Sequence, residues 1–103
     1  MVELTEFHRG WMIEVIRDDA GFRSICYSPV GERLSSCNYE RTCSTAWLAA
    51  LDLVDRCFAC EALSEVMQEC FESHQITRDE LCELNQSLGQ LSLTGFTQTH
   101  FSL

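Results

Sequence analysis

The chain has 103 residues, 46% of them hydrophobic, and a formal net charge of −9 from 16 acids against seven arginines, with no lysine. That length suits one domain with a modest core, and the apolar content is too high for a disordered chain. So acidic a surface is repelled by phosphate backbones and anionic lipid, and the longest apolar run, Ala46 to Leu51, is far short of the roughly 20 residues that span a bilayer, so neither nucleic acid nor a membrane is expected as a partner.

The first ten residues carry Glu3, Glu6 and Arg9 with no apolar stretch behind a basic patch, so a secretory leader is not expected and the chain reads as cytoplasmic. They are taken as a lead into the fold. Trp11, Ile13 and Val15 alternate with Met12, Glu14 and Ile16, which predicts a first strand. Asp18-Asp19-Ala20-Gly21 suits a type I turn and leads to a second strand over Phe22 to Tyr27. Ser28-Pro29-Val30-Gly31 is another such turn, followed by a short third strand from Glu32 to Ser35. Two tight turns in succession give a three-stranded antiparallel meander, since parallel strands would need a long crossover.

Thr42, Ser44 and Thr45 are candidate caps for a long helix from about Ala46 to about Phe71, uninterrupted by glycine or proline. Trp47, Leu51, Val54 and Phe58 line one face of its first half; Ala59, Leu63, Val66 and Cys70 line a face rotated by about 100° in the second. The first half is therefore expected to pack on the sheet and the second on another helix or another subunit, with a bend near residues 58 to 62 as the competing explanation. Ile76-Thr77-Arg78-Asp79-Glu80-Leu81 reads as a capping box within a hydrophobic staple, opening a second helix. Leu81, Leu84, Leu88 and Leu91 are its expected buried face and Gly89 its expected stop. The short connection folds the two helices into an αα-hairpin. The predicted organisation is thus one α+β domain over residues 1–91 and a mobile tail over 92–103.

Seven cysteines are an odd number, and without an export signal reduced thiols are the default. Cys57-x-x-Cys60 with Cys70-x-x-x-His74 resembles a four-ligand zinc site as text. On one helix, however, Cys57 and Cys70 lie about 20 Å apart at about 1.5 Å per residue, too far for one tetrahedral metal unless subunits share it. A redox role for Cys57 and Cys60 lacks the helix N-terminus and positive charge that stabilise a thiolate. Cys60 is expected to be exposed. Glu65, Glu69 and Glu72 share a face with Glu61 one turn earlier, a row that could dock a basic surface and is otherwise a solvated face. His8, His74 and His100 have no nucleophile or acid at triad spacing, and no phosphate loop or metalloprotease motif is present, so no catalytic residue and no cofactor is assigned.

Trp11-x-Ile13-Glu14-Val15, Tyr27-Ser28-Pro29-x-Gly31 and an alanine-rich helix ending near Val54-Asp55 resemble a set of short proteins without assigned function found widely in cyanobacteria, over residues 8 to 60. The resemblance implies a sheet-plus-helix fold and no activity; this chain is richer in cysteine. A three-stranded meander crossed by a helix is also the plan of some plant-type and integrase DNA-binding domains, but here Glu14, Asp18, Asp19 and Glu32 accompany Arg17, Arg23 and Arg33. The leading expectation is a non-enzymatic interaction module, a homodimer using Leu63, Val66 and Met67 beside the acidic row. The alternative is a thiol-based redox or metal-responsive protein using Cys57 and Cys60; a small enzyme of no nameable reaction is third.

Overall fold

A computed structural model describes the fold of residues 1–100, with side chains through Gln98. The chain divides into two compact units, one formed by Met1–Val54 with the chain from Gly95, the other by Asp55–Thr94.

The first unit is built on a five-stranded antiparallel sheet in sequential order: β1 (Val2–His8), β2 (Trp11–Asp18), β3 (Gly21–Tyr27), β4 (Glu32–Ser36) and β5 (Phe96–His100). The α+β class stands, but the expected three strands become five. The N-terminal lead is β1, paired with β2 from Val2↔Ile16 to His8↔Trp11. Arg9 (φ 51°) and Gly10 (φ 83°) both take positive φ, as the two-residue turn that suits strand twist requires. The expected tail supplies the end of the second helix and then β5, which pairs with β4 from Glu32↔His100 to Ser36↔Phe96; residues 101–103 lie outside the described ones.

Between β4 and the long helix the chain returns to the sheet. Phe22 and Glu40 form an isolated antiparallel bridge through both backbone bonds, 2.9 and 2.6 Å. Gly21, at φ 131°, lets the Glu40 carbonyl approach: a Cβ there would sit 2.6 Å from that oxygen. The core of this unit is Trp11, Ile13, Val15, Cys26 and Leu34 on one sheet face, with Ala46, Ala50, Leu53 and Val54 on the helix. The opposite face carries Ile25, itself only 1% exposed, among the half-buried Met12, Glu14, Ile16, Arg23, Tyr27 and Arg33.

The long helix α1 runs Cys43–Glu72. Thr42 caps it: its hydroxyl accepts from the Thr45 N–H at 3.1 Å, and its carbonyl accepts from Ala46. The expected rotation of the buried face does not occur. Ala46, Ala50, Leu53, Cys57, Cys60, Ser64, Met67 and Phe71, each buried or half-buried, are spaced alternately by four and three residues, and Val54 of the expected face is buried beside them. That is one stripe of period 3.5, as in a coiled-coil seam. Trp47 and Leu51 are only half-buried, and Phe58 is exposed. Small alanines in the first half, and cysteines and a serine in the second, occupy positions that a search for bulky side chains passes over.

Helix α2 spans Arg78–Ser92. Its capping box is present as expected: Glu80 N–H donates to the Thr77 hydroxyl at 3.1 Å and Thr77 N–H to the Glu80 carboxylate at 2.9 Å. Gly89 does not stop the helix but lies inside it. Its side of the helix is open, since a Cβ there would meet nothing within 4 Å.

Candidate interaction surface

The second unit is an αα-hairpin of the C-terminal half of α1 and all of α2. Its register is fixed by three cross-helix contacts. The Phe71 ring lies 5.7 Å below the Arg78 guanidinium. Ser64 hydroxyl donates to the Asn85 side-chain oxygen at 3.1 Å. The Cys57 thiol points to the Ser92 carbonyl at 4.0 Å. Phe71, Ser64 and Cys57 are seven residues apart along α1, as Arg78, Asn85 and Ser92 are along α2; Met67 and Cys60 take the seam positions between them on α1, and Leu81 and Leu88 those on α2. Leu81 is 9% exposed and Leu88 half-buried. A pair of bonds closes the open end: the Arg56 guanidinium donates to the carbonyls of Leu91 at 3.1 Å and Thr94 at 3.0 Å. Leu91 is in the last turn of α2, where its carbonyl also accepts from the Thr94 N–H at 3.3 Å, and Thr94 lies just past the helix; a cation there also suits the helix dipole.

The other end is a Schellman turn. His74 takes φ 61°; Gln75 N–H donates to the Cys70 carbonyl at 2.8 Å and His74 N–H to the Phe71 carbonyl at 3.0 Å. His74, one of the four residues in the zinc-like pattern, thus terminates α1. Among the described residues no group of three or more His, Cys, Asp or Glu side chains comes together to hold a metal ion. None of the seven cysteines is joined in a disulfide. Cys57 and Cys60 are half-buried positions of the seam, which corrects the expectation that Cys60 is exposed; Cys70 is half-buried on the neighbouring stripe.

The candidate contact residues separate into three places. Met67 belongs to the seam. Leu63 and Val66 lie on the stripe next to it, 51% and 54% exposed. Glu65 and Glu72 occupy the other side of the seam, and Glu69 the back of α1, all exposed. On α2, Leu84 and Leu91 are not buried as expected but 43% and 56% exposed. Each directly precedes a seam residue, Asn85 or Ser92, just as Leu63 precedes Ser64. In an antiparallel helix pair such positions fall on the same side of the seam, and the Arg56–Leu91 bond, made from the residue preceding Cys57, fixes that side. Leu63, Val66, Leu84 and Leu91 therefore make one apolar flank along the hairpin. Sequence reasoning found the α1 half of this flank and missed the α2 half, because a leucine every three or four residues reads as core. The signal that could have separated them is Asn85 and Ser92, polar seam residues that match Ser64 and Cys57.

On the outer face of the sheet, Tyr27 lies between Glu14 and Arg33. Burial, reinforced by the Glu14 carboxylate, raises its pKa, and Arg33 works in the opposite direction. Arg23 lies over the Tyr39 ring at 5.9 Å on the same face. Arg17, on the other face, lies over Phe22 at 5.7 Å. The three arginines considered for a basic sheet are thus divided between two faces. No helix is long and apolar enough to cross a membrane among the described residues. No family model, curated protein or solved structure matches the chain.

Proposed function

We propose that this protein is a non-enzymatic interaction module of a reducing compartment such as the cytoplasm, and that it binds its partner through the apolar flank of the αα-hairpin. One observation carries the reading: Leu63, Val66, Leu84 and Leu91 are 43–56% exposed along one side of the hairpin, beside a seam whose Cys60, Ser64, Met67 and Leu88 are half-buried. Single exposed aliphatic residues are ordinary on a protein surface; a contiguous set along two helices is characteristic of a contact surface. Seven cysteines without a disulfide among them support a reducing compartment. The acidic residues on the other side of the seam act as the solvated face that keeps the hairpin soluble.

Site-specific photo-crosslinking in living cells tests this. A photoreactive residue at position 63 yields a protein adduct, and the same residue at position 69, on the back of α1, does not. Equal yields at both positions, or none at 63, would remove the flank as the binding surface.

A further inference from the structure

We infer that the occupant of the flank is a second copy of this chain, with two hairpins packing flank to flank as an antiparallel four-helix bundle. This rests on the reading of the flank as a contact surface and names its partner. The choice between partners follows from where the charges lie. Between Asp55 and Glu83 there are eight acids and only Arg56 and Arg78 as bases. A basic amphipathic helix would call for those acids to rim the apolar strip. They do not: Glu61, Glu65, Glu72 and Asp79 lie across the seam, and Asp55, Glu69 and Glu83 on the backs of the helices. Only Glu80 borders the strip, at the end near the capping box. The acids therefore point away when two flanks meet, and like charges are kept apart without any partner of opposite sign.

The strip is also suited to a two-fold contact. Leu63 of α1 stands across from Leu84 of α2, so rotating a second hairpin about an axis near this pair lays its Leu63 and Leu84 on the first copy's, with Val66 and Leu91 flanking them. Such isologous contacts are the commonest way for a chain to form a closed oligomer, and the product is a familiar bundle. Helix α2 has 15 residues, so the flank is about 22 Å long, and two helices give it a width of roughly 20 Å. Two such surfaces bury on the order of 1,000 Å² in total, at the lower end of specific interfaces. The dimer is accordingly of the weaker, reversible kind.

Sedimentation equilibrium of the purified full chain tests the inference, run over about 5 to 500 µM in reductant, a range wide enough to follow a reversible dimer. The weight-average mass rises with concentration from 11.8 kDa towards twice that value. Val66→Glu and Leu84→Glu, each made singly, hold the mass at the monomer value while far-UV circular dichroism stays that of the wild type. Leu48→Glu, at a residue 60% exposed elsewhere on α1, leaves the dimer intact. Both positions are already about half in water, so a folded variant is expected for each; if one loses helix content, the other carries the test. A wild type that stays monomeric throughout overturns the inference, as does a dimer that both glutamate variants leave untouched. A monomer in solution whose position-63 crosslinks in cells reach a protein of different mass overturns the second copy alone and leaves the interaction module standing. A monomer that also gives no position-63 adduct removes both.

Discussion

Replacing His74 by glycine should stabilise this protein, although His74 is one of the few residues whose side chain suggested chemistry. The residue holds φ 61° at the turn that ends α1. A residue with a Cβ gives up about 1–2 kcal/mol in this region, and glycine does not. Glycine gives back about 0.5–1 kcal/mol, because its unfolded chain has more freedom to lose. The balance is a gain of about 0.5–1 kcal/mol. His74 is exposed, so no packing is lost to offset it. The two backbone bonds that close the turn, from Gln75 to Cys70 and from His74 to Phe71, need no side chain and persist. Thermal unfolding followed by circular dichroism should show the midpoint of His74→Gly raised by about 2–8 °C for a unit of this size. His74→Ala keeps the Cβ and should show no such gain. If His74→Gly proves less stable than wild type, the imidazole makes a contact or holds a ligand that outweighs the backbone strain, and the purely structural account of His74 is wrong.

Gly21→Ala should cost about 3 kcal/mol, because the new methyl collides with the Glu40 carbonyl at 2.6 Å and endangers both bonds of the Phe22–Glu40 bridge; a loss below about 1 kcal/mol in urea unfolding would show that the loop simply moves aside. Gly89→Ala should stabilise α2 by about 1 kcal/mol, as the position is helical and open; no gain in helix stability would mean that α2 ends before it. The Thr77 backbone N–H, with help from its side chain, holds the Glu80 carboxyl below its ordinary 4.5. A depressed carboxylate stabilises the folded state above its unfolded value and loses that contribution as pH falls through the folded one. Wild type should therefore exceed Glu80→Gln in urea midpoint near neutrality, and the difference should fade below about pH 4.5; a difference that grows on acidification would contradict the capping role.

What the sequence made legible follows from how each signal arises. The central strands were readable because Trp11, Ile13 and Val15 alternate with residues on a more exposed face, and the second helix because Thr77 and Glu80 form a local motif that needs no tertiary knowledge. Strand β1 was not readable: Val2–His8 is largely exposed, so burial imposes no apolar alternation on it, and its turn uses Arg9-Gly10 in place of the usual Asn-Gly signal. Strand β5 is likewise polar, Phe-Thr-Gln-Thr-His, and is defined by its partner β4 rather than by its own composition. The seam of α1 was misplaced because its buried positions are small or weakly polar: Ala46, Ala50, Cys57, Cys60 and Ser64 pack as well as leucine where helices approach closely, yet count little in a hydrophobic tally. The same error put Leu84 and Leu91 in the core. By the true period of the seam these leucines lie beside it on the surface, 43% and 56% exposed.

The most direct measurement of the central claim is an isotope-filtered nuclear Overhauser experiment on an equal mixture of carbon-13-labelled and unlabelled chains. Cross-chain signals should appear at the methyl groups of Leu63, Val66, Leu84 and Leu91 and be absent at Leu48. Signals confined to Val2 and Leu4 of β1 would place the contact on the sheet edge, and no cross-chain signal at about 500 µM, the top of the sedimentation range, would contradict self-association through the flank.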